Sequence, residues 1–451
     1  MIFVYFVVKF DAKTRFNMKS EILCIGDIHL GRRSGKVPPE IGDYEIDPAT
    51  LTPTATWRAA CRWAVEHNVD AVLLAGDVVE NAQDRFEAYG HLKWGVEKLL
   101  AAGIPVFAVA GNHDYDALPR LADQIPDFHL IGRDGSWEVL EKELKNGSRI
   151  RIAGWSFQDQ YYRENPLKGL EIERDQKVPT LGLLHCDLDA SGSLYGPVTS
   201  RDLEAVPVDA WFLGHIHKPS PLSGPRPIGY LGSLAGLDPG EPGPHGPWLA
   251  TVNGPGDISI KHLPMASLRW EEEEVGIDSL AGDNPEDIKD NLFSLISRAI
   301  DRIHQRVSGG PYPARSVGCR IRLTGRSSFH RLIRTLSEEL ARHQESRGGI
   351  YYFVEKIIDR SGPALDLAEI ARGNDPPAAL ARLIIDITDR KGRKAELITA
   401  ARDIFGKITA DSRWVRLKRE QPPDDEAIRR IMIDSGMTAL EELLAQQEEG
   451  E

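Results

Sequence analysis

Cysteine is scarce in this chain, and what there is stands apart. The four cysteines, Cys24, Cys61, Cys186 and Cys319, include no CxxC pair. That argues against a disulfide framework or a zinc knuckle and fits free thiols in a reducing cytoplasm. Long apolar runs are also missing. No stretch supplies the roughly 20 apolar residues of a membrane-spanning helix, so no membrane partner is expected. Basic residues are in deficit, with 55 Lys and Arg against 68 Asp and Glu and a formal net charge of -13. A protein that holds nucleic acid by its own surface alone is usually basic. The acidic balance therefore counts against a free-standing DNA-binding module, less so if carboxylates bind metal or a partner brings the basic groove. At 451 residues, two or three domains are expected. The opening MIFVYFVVKFDAKTRFNM has a short apolar run, a first basic residue after it and no small-residue cleavage site, a poor signal peptide. With Met18 just ahead of a strand pattern, residues 1–17 read as an upstream-start extension, a short edge strand being the alternative.

What the chain does have is repetition at strand ends. Over the first 250 residues or so, short apolar runs alternate with helical patterns, as in an α/β layered fold. One helix is expected over Thr56–His67 and another around Leu92, Val96, Leu99 and Leu100, closed by Gly103. ILCIGDIH ends in Asp27 and His29, and AVLLAGDVVE carries Asp77. PVFAVAGNHD ends in Asn112, His113 and Asp114, LGLLHCD carries His185, and AWFLGHIH ends in His215 and His217. A lone Asp-x-His is most often a surface turn, and a lone histidine a hydrogen-bonded core residue. Five strands finishing in the same ligand types are a different matter. Ligands in open α/β sheets bind beyond the carboxyl ends of the strands, so these side chains should converge. Residues two apart on an extended segment face the same way, which lets Asp27 with His29, and His215 with His217, each grip one centre.

Mixed His, Asp and Asn ligands suit Mn²⁺, Fe²⁺ or Zn²⁺. The candidates are too many for one ion and enough for two, with a carboxylate bridging. Paired ions stabilise both oxygens of an in-line phosphoryl displacement and acidify a shared water. Asn112 is the better ligand of its pair, which leaves His113 to donate a proton to the leaving oxygen, with Asp114 in sequence position to orient it.

Asp27-x-His29, Gly76-Asp77, Gly111-Asn112-His113-Asp114, His185 and Gly214-His215-x-His217 resemble, in order and spacing, the calcineurin-like metallophosphoesterase signature. DIHLG at 27–31, GHIHKP at 214–219 and GYLGSLAG at 229–236 are similar to the SbcD-type DNA repair nucleases, closest to a YhaO-like branch. The resemblance implies a layered α/β sandwich and two divalent ions, Mn²⁺ above all. It implies that Asp27, His29, Asp77 and His217 hold one ion and Asp77, Asn112, His185 and His215 the other. Glu80 departs from the pattern, since many relatives carry Asp or His there, and this bears on substrate preference.

The Pro- and Gly-dense stretch from Lys218 to Trp248 reads as irregular loop around a short strand. The metal domain is expected to span 18–264. A small α/β module over 265–362 follows, with Pro285–Val307 as its first helix; with RIRLTGRSSFH it resembles the capping domain of SbcD-type nucleases. Residues 363–451 read as helical, starting at Asp375-Pro376. In SbcD-like complexes such helices dock on a partner ATPase, here SbcC-like or YhaN-like; a homodimer is compatible with the likeness. Arg32, Arg33, Lys36 and Lys218 are the basic candidates for phosphate contact. The expectation is a cytoplasmic metal-dependent DNA nuclease working with an ATPase. The alternatives are a general phosphoesterase for nucleotides or phosphoproteins, which the acidic charge favours, and a non-catalytic assembly subunit.

Overall fold

The computed structural model describes residues 19–80, 85–190, 192–389, 394–410 and 423–450. The expectation for residues 1–17 lies outside them. Two compact units emerge, and they are interleaved. The first takes the described chain up to Glu271 together with Arg306–Gly318 and Glu345–Tyr352; the second takes Glu272–Gln305, Cys319–Gln344 and Phe353 onward. Boundaries at 264 and 362 do not express this. The returns belong to the first unit through side chains far apart in sequence: the Trp63 indole donates to the Tyr312 hydroxyl, and the Tyr351 ring lies 4.3 Å from that of Tyr44.

The first unit runs β1 (Ser20–Ile25), α1 (Pro53–Glu66), β2 (Ala71–Ala75), α2 (Arg85–Ala101) and β3 (Val106–Val109). It continues with α3 (Ala117–Ala122), β4 (Phe128–Leu130), β5 (Glu138–Glu143), β6 (Arg149–Trp155) and β7 (Thr180–His185). Then come α4 (Ser200–Ala205), β8 (Ala210–Gly214), β9 (Ile228–Tyr230), β10 (Trp248–Gly254) and β11 (Asp257–His262). One sheet has the order β11-β10-β1-β2-β3-β4 and the other β5-β6-β7-β8-β9. Strands β1 to β4 are parallel, as are β6 to β9.

The two-residue side-chain period sorts each strand between layers. Leu23, Ile25, Val72, Leu74, Val106 and Ala108 face the helices, where Trp57, Cys61, Leu92 and Val96 meet them. Ile22, Cys24, Leu73, Phe107 and Val109 face Ile150, Ile152, Leu181, Leu183 and Phe212 of the second sheet. Trp155, Leu184, Trp211 and Leu213 on that sheet's far side are covered by their own loops. Strands buried on both faces must be apolar throughout, which is why the runs read as continuous. Helix α1 starts three residues before its predicted boundary, because Thr52 caps it by accepting from Ala55 N and Pro53 opens it. None of the four cysteines is in a disulfide, and all four are buried.

The C-terminal part supplies β12 (Leu268–Gly276), α5 (Pro285–Val307), β13 (Ser316–Thr324), α6 (His330–Leu340), β14 (Gln344–Arg347) and β15 (Ile350–Asp359). These strands pair in the order β12-β13-β15-β14. Helices α7 (Leu367–Ile370), α8 (Pro376–Thr388), α9 (Lys394–Ala410) and α10 (Asp425–Gly450) follow. The Asp375 side chain caps α8 by accepting from Ala378 N at 3.0 Å. Helices α8 and α10 pack through Ala381, Ile384, Met437 and Leu440. Among the described residues, no helix is long and apolar enough to cross a membrane.

Candidate metal centre

Parallel strands β1, β2, β3, β7 and β8 end on one side of the two sheets, and each hands its chain to a tight turn. The turns are unusual. Asp27, His29, Asp77 and His215 have φ of 41°, 51°, 48° and 101°, left-handed values that residues with a Cβ adopt at a cost. Hydrogen bonds between the turns hold them there. His29 N donates to Asp77 O at 2.9 Å, His215 N to Asp27 Oδ1 at 2.9 Å, and His113 N to Asp77 Oδ1 at 2.9 Å. Two glycines permit the close approach. A Cβ at Gly111 would sit 2.1 Å from Asp77 Oδ1, and one at Gly214 would sit 2.0 Å from Ala75 O. Convergence thus comes from left-handed turns, not from extended segments presenting alternate residues. The distinction matters for His215 and His217, which their two-residue spacing alone would aim at one centre and which the structure turns to different ones.

Asp27, His29 and His217 bring one ligand atom each within 4.8 Å of one another. The Nε2 atoms of His29 and His217 face each other at 3.1 Å, and Asp27 Oδ2 is buried with no hydrogen bond. On the other side of Asp77, its Oδ2 lies 3.3 Å from His185 Nε2. Asn112 Oδ1 stands 3.0 Å from that nitrogen and 3.1 Å from His215 Nδ1. All seven predicted ligands therefore converge in two adjoining groups, with Asp77 between them. Apposed ring nitrogens, an orphaned carboxylate oxygen and two buried aspartates are a donor set that divalent cations fit.

The far sides of the rings are also held. His217 Nδ1 meets Glu241 Oε1 at 2.6 Å, His29 Nδ1 lies 2.7 Å from Glu80 Oε2, and His185 Nδ1 donates to Ala75 O at 3.1 Å. Such partners orient a metal-binding imidazole and raise its basicity. Charge follows the geometry. Burial works against a proton on His185, yet the Asp77 carboxylate and then Asp27 raise its pKa to about 9. His217 is likewise opposed by burial and raised to about 9 by the Glu241 hydrogen bond and by Asp27. Burial would raise Asp77, but the His185 charge and hydrogen bond hold it far below the usual carboxylate range. Protons on these rings thus neutralise the carboxylates as a cation would.

His113 is exposed at the rim, its ring 5.2 Å from that of His29. Its orienting partner is the Glu80 carbonyl, to which Nδ1 donates at 3.1 Å, and not Asp114. The Asp114 carboxylate points inward and accepts from Val78 N at 2.7 Å, Val79 N at 3.3 Å and Gly111 N at 2.7 Å. Three buried donors that need a partner claim it. Burial and the neighbouring Asp77 charge raise its pKa to about 7. Asp114 is a positioning residue for two turns.

The main residue missed by sequence reading is Glu241. It lies in the Pro/Gly loop, and its Oε2 accepts from Ser233 Oγ and Leu237 N, each at 2.9 Å. His245 Nδ1, 3.0 Å from Ser233 Oγ, completes the anchorage. A lone acid in an aperiodic stretch carries no signal. Of the basic candidates, Arg32 lies 3.8 Å from Glu80 Oε2 and, with Arg33, lines a cavity beside the centre; Lys36 and Lys218 stand exposed outside it.

The profile of the calcineurin-like phosphoesterase family matches residues 20–219, the stretch from β1 through His217. The chain carries a calcineurin-like phosphoesterase domain. The chain is 33% identical over 222 residues to the metallophosphoesterase YhaO of Bacillus subtilis, covering 48% of this chain and 53% of that protein. It is 27% identical over 244 residues to the DNA double-strand break repair protein Mre11 of Archaeoglobus fulgidus, covering 48% of this chain and 50% of that one. The chain spans about half the length of these curated relatives. Among solved structures, a dimetal phosphatase from Danio rerio aligns weakly, with a TM-score of 0.33 and 12% identity over 53% of this chain and 98% of that one. The layered α/β fold expected from the sequence is the one the structure has, and it coincides with the stretch that the family profile matches.

Proposed function

We propose that the phosphoesterase domain is a two-metal nuclease that hydrolyses DNA phosphodiesters, as an exonuclease subunit working with a partner ATPase. The observation that carries it is the pair of adjoining ligand groups around Asp77, with His113 at their rim. Likeness to a double-strand break repair protein supports DNA as the substrate.

Asp27, His29, Asp77 and His217 would hold one ion, and Asp77, Asn112, His185 and His215 the other, with Mn²⁺ the expected metal. Bound divalent ions supply Lewis acidity at the phosphorus-bound oxygens and an acidified water. The chain does the rest. Glu80, Glu241 and Ala75 O fix the ring orientations of His29, His217 and His185. His113, held through Nδ1 by the Glu80 carbonyl, presents Nε2 to give a proton to the departing oxygen. The α/β part from residue 265 would act as a capping domain. Ile404 and Ile408, exposed on α9, support docking of the C-terminal helices on an ATPase.

The test is Mn²⁺-dependent degradation of linear double-stranded DNA by the full chain, beside a His113→Ala variant, with bis-p-nitrophenyl phosphate in parallel. DNA cleavage that the variant loses supports the nuclease. Cleavage of the small diester alone, unchanged by adding an ATPase partner, supports a general phosphoesterase, the reading that the acidic net charge of -13 favours. Metal binding with no hydrolysis of either supports an assembly subunit.

A further inference from the structure

A cavity of about 930 Å³ opens beside the metal centre, wholly within the first unit. Its walls are the segment that follows β1, including two short 3₁₀ helices at Pro39–Tyr44 and Pro48–Leu51, and the outward face of α1. Five arginines line it, Arg32, Arg33, Arg58, Arg62 and Arg315, with His91 beside them. No carboxylate does so among the described residues, although the chain is acidic and the same segment contains Glu40, Asp43, Glu45 and Asp47.

The arginines are not spent on ion pairs. Arg32 alone nears carboxylates, 3.8 Å from Glu80 and 3.7 Å from Asp238. Arg33, Arg62 and Arg315 have no side-chain partner among the described residues. Arg58 lies 3.2 Å from His91 Nδ1 and 5.3 Å over the Trp94 ring, and its buried Nε makes no hydrogen bond. Arg58 and Arg62 are one helical turn apart, so they present their forks from one face. Like charges gathered in a concave wall focus a positive potential, and guanidinium forks pair with phosphate oxygens two bonds at a time. Cations strung along a groove match a row of phosphates better than a single one. Half-buried Val37 and Pro38 and exposed Pro39 also line it, surface suited to sugars and exposed bases. Through Arg32, Glu80 and His29 the groove adjoins the metal ligands directly.

We propose that this groove carries the phosphate backbone of the DNA strand leading to the cleavage point, with Arg58, Arg62 and Arg315 as its contacts. The proposal rests on the nuclease reading and adds the route of the strand.

The test uses the full chain loaded with metal and a labelled single-stranded phosphorothioate oligonucleotide that resists hydrolysis. Fluorescence anisotropy over a salt series gives the slope of log affinity against log salt. An Arg62→Gln/Arg315→Gln double variant should lower that slope by about 1.4, at about 0.7 per lost phosphate contact, and the corresponding double lysine variant should retain it. Thermal melting establishes that each variant is folded. An unchanged slope in the folded glutamine variant, with wild-type binding intact, overturns the groove and leaves the nuclease reading standing. Absence of salt-dependent DNA binding by the wild type, both alone and with its ATPase partner, overturns both. Equal competition by a mononucleotide would reassign the cavity to a single nucleotide and also overturn the proposal.

Discussion

Two imidazoles that look alike in the sequence, His113 and His217, differ in what holds their far nitrogens. A main-chain carbonyl holds His113 and a carboxylate holds His217. A carbonyl fixes a ring without adding charge, which suits a proton donor; a carboxylate makes the ring a stronger metal ligand. His113→Ala should therefore cut kcat by roughly 10² to 10⁴ fold while leaving metal content as it was. Steady-state kinetics and elemental analysis of the same sample separate the two effects. Glu241→Gln should do the reverse, weakening metal affinity by about 10 to 100 fold. A competition titration with a metal indicator reads this, and an unchanged affinity would reduce Glu241 to a packing residue. At this scale the sequence was informative where ligands recur at strand ends beside glycine, as at Asp27, Asp77 and Asn112. It was silent on Glu241, because nothing in GLDPGEPGPHG distinguishes a carboxylate that reaches the site from one that meets water.

Between residue and fold stand the turns. The strands were legible because burial on both faces forces an apolar run, and Pro285–Val307 because its apolar face repeats at the helical period. The left-handed φ of Asp27, His29, Asp77 and His215 was not, since it arises from hydrogen bonds between turns distant in the chain. This is why the two-residue spacing of His215 and His217, read by itself, points to one centre. It is also why Asp114 was given to His113 rather than to the backbone of Val78, Val79 and Gly111. Asp114→Ala would leave those three donors buried and unpaired, at about 1–3 kcal/mol each. A loss of about 3 kcal/mol or more should appear in urea denaturation. Gly214→Ala drives a Cβ against Ala75 O and His185 Nδ1. It should abolish tight binding at the His185 ion before it unfolds the sheet, measurable as a drop in bound metal per chain.

At the scale of the whole molecule, the centre stripped of metal should make stability depend on pH. His185 and His217 keep their protons up to about 9 in the folded chain, against about 6.5 when unfolded. The stability they add is fully present below about 6.5 and is lost as pH rises through 9. The chelated protein should thus melt at progressively lower temperature between those values. With metal bound, the rings have already given up their protons, so the decline should vanish and binding at pH 7 should release protons, seen as buffer-dependent heats in calorimetry. The division of the chain was the least legible feature. Nothing local marks Arg306–Gly318 and Glu345–Tyr352 as parts of the first unit, because their partners, Trp63 and Tyr44 among them, lie about 250 residues or more upstream. That interleaving sets an order on manufacture. A ribosome that has delivered every proposed metal ligand by His217 has still not delivered Tyr312, Arg315 or Tyr351, so the nascent phosphoesterase unit must wait for more than a hundred further residues before it can close.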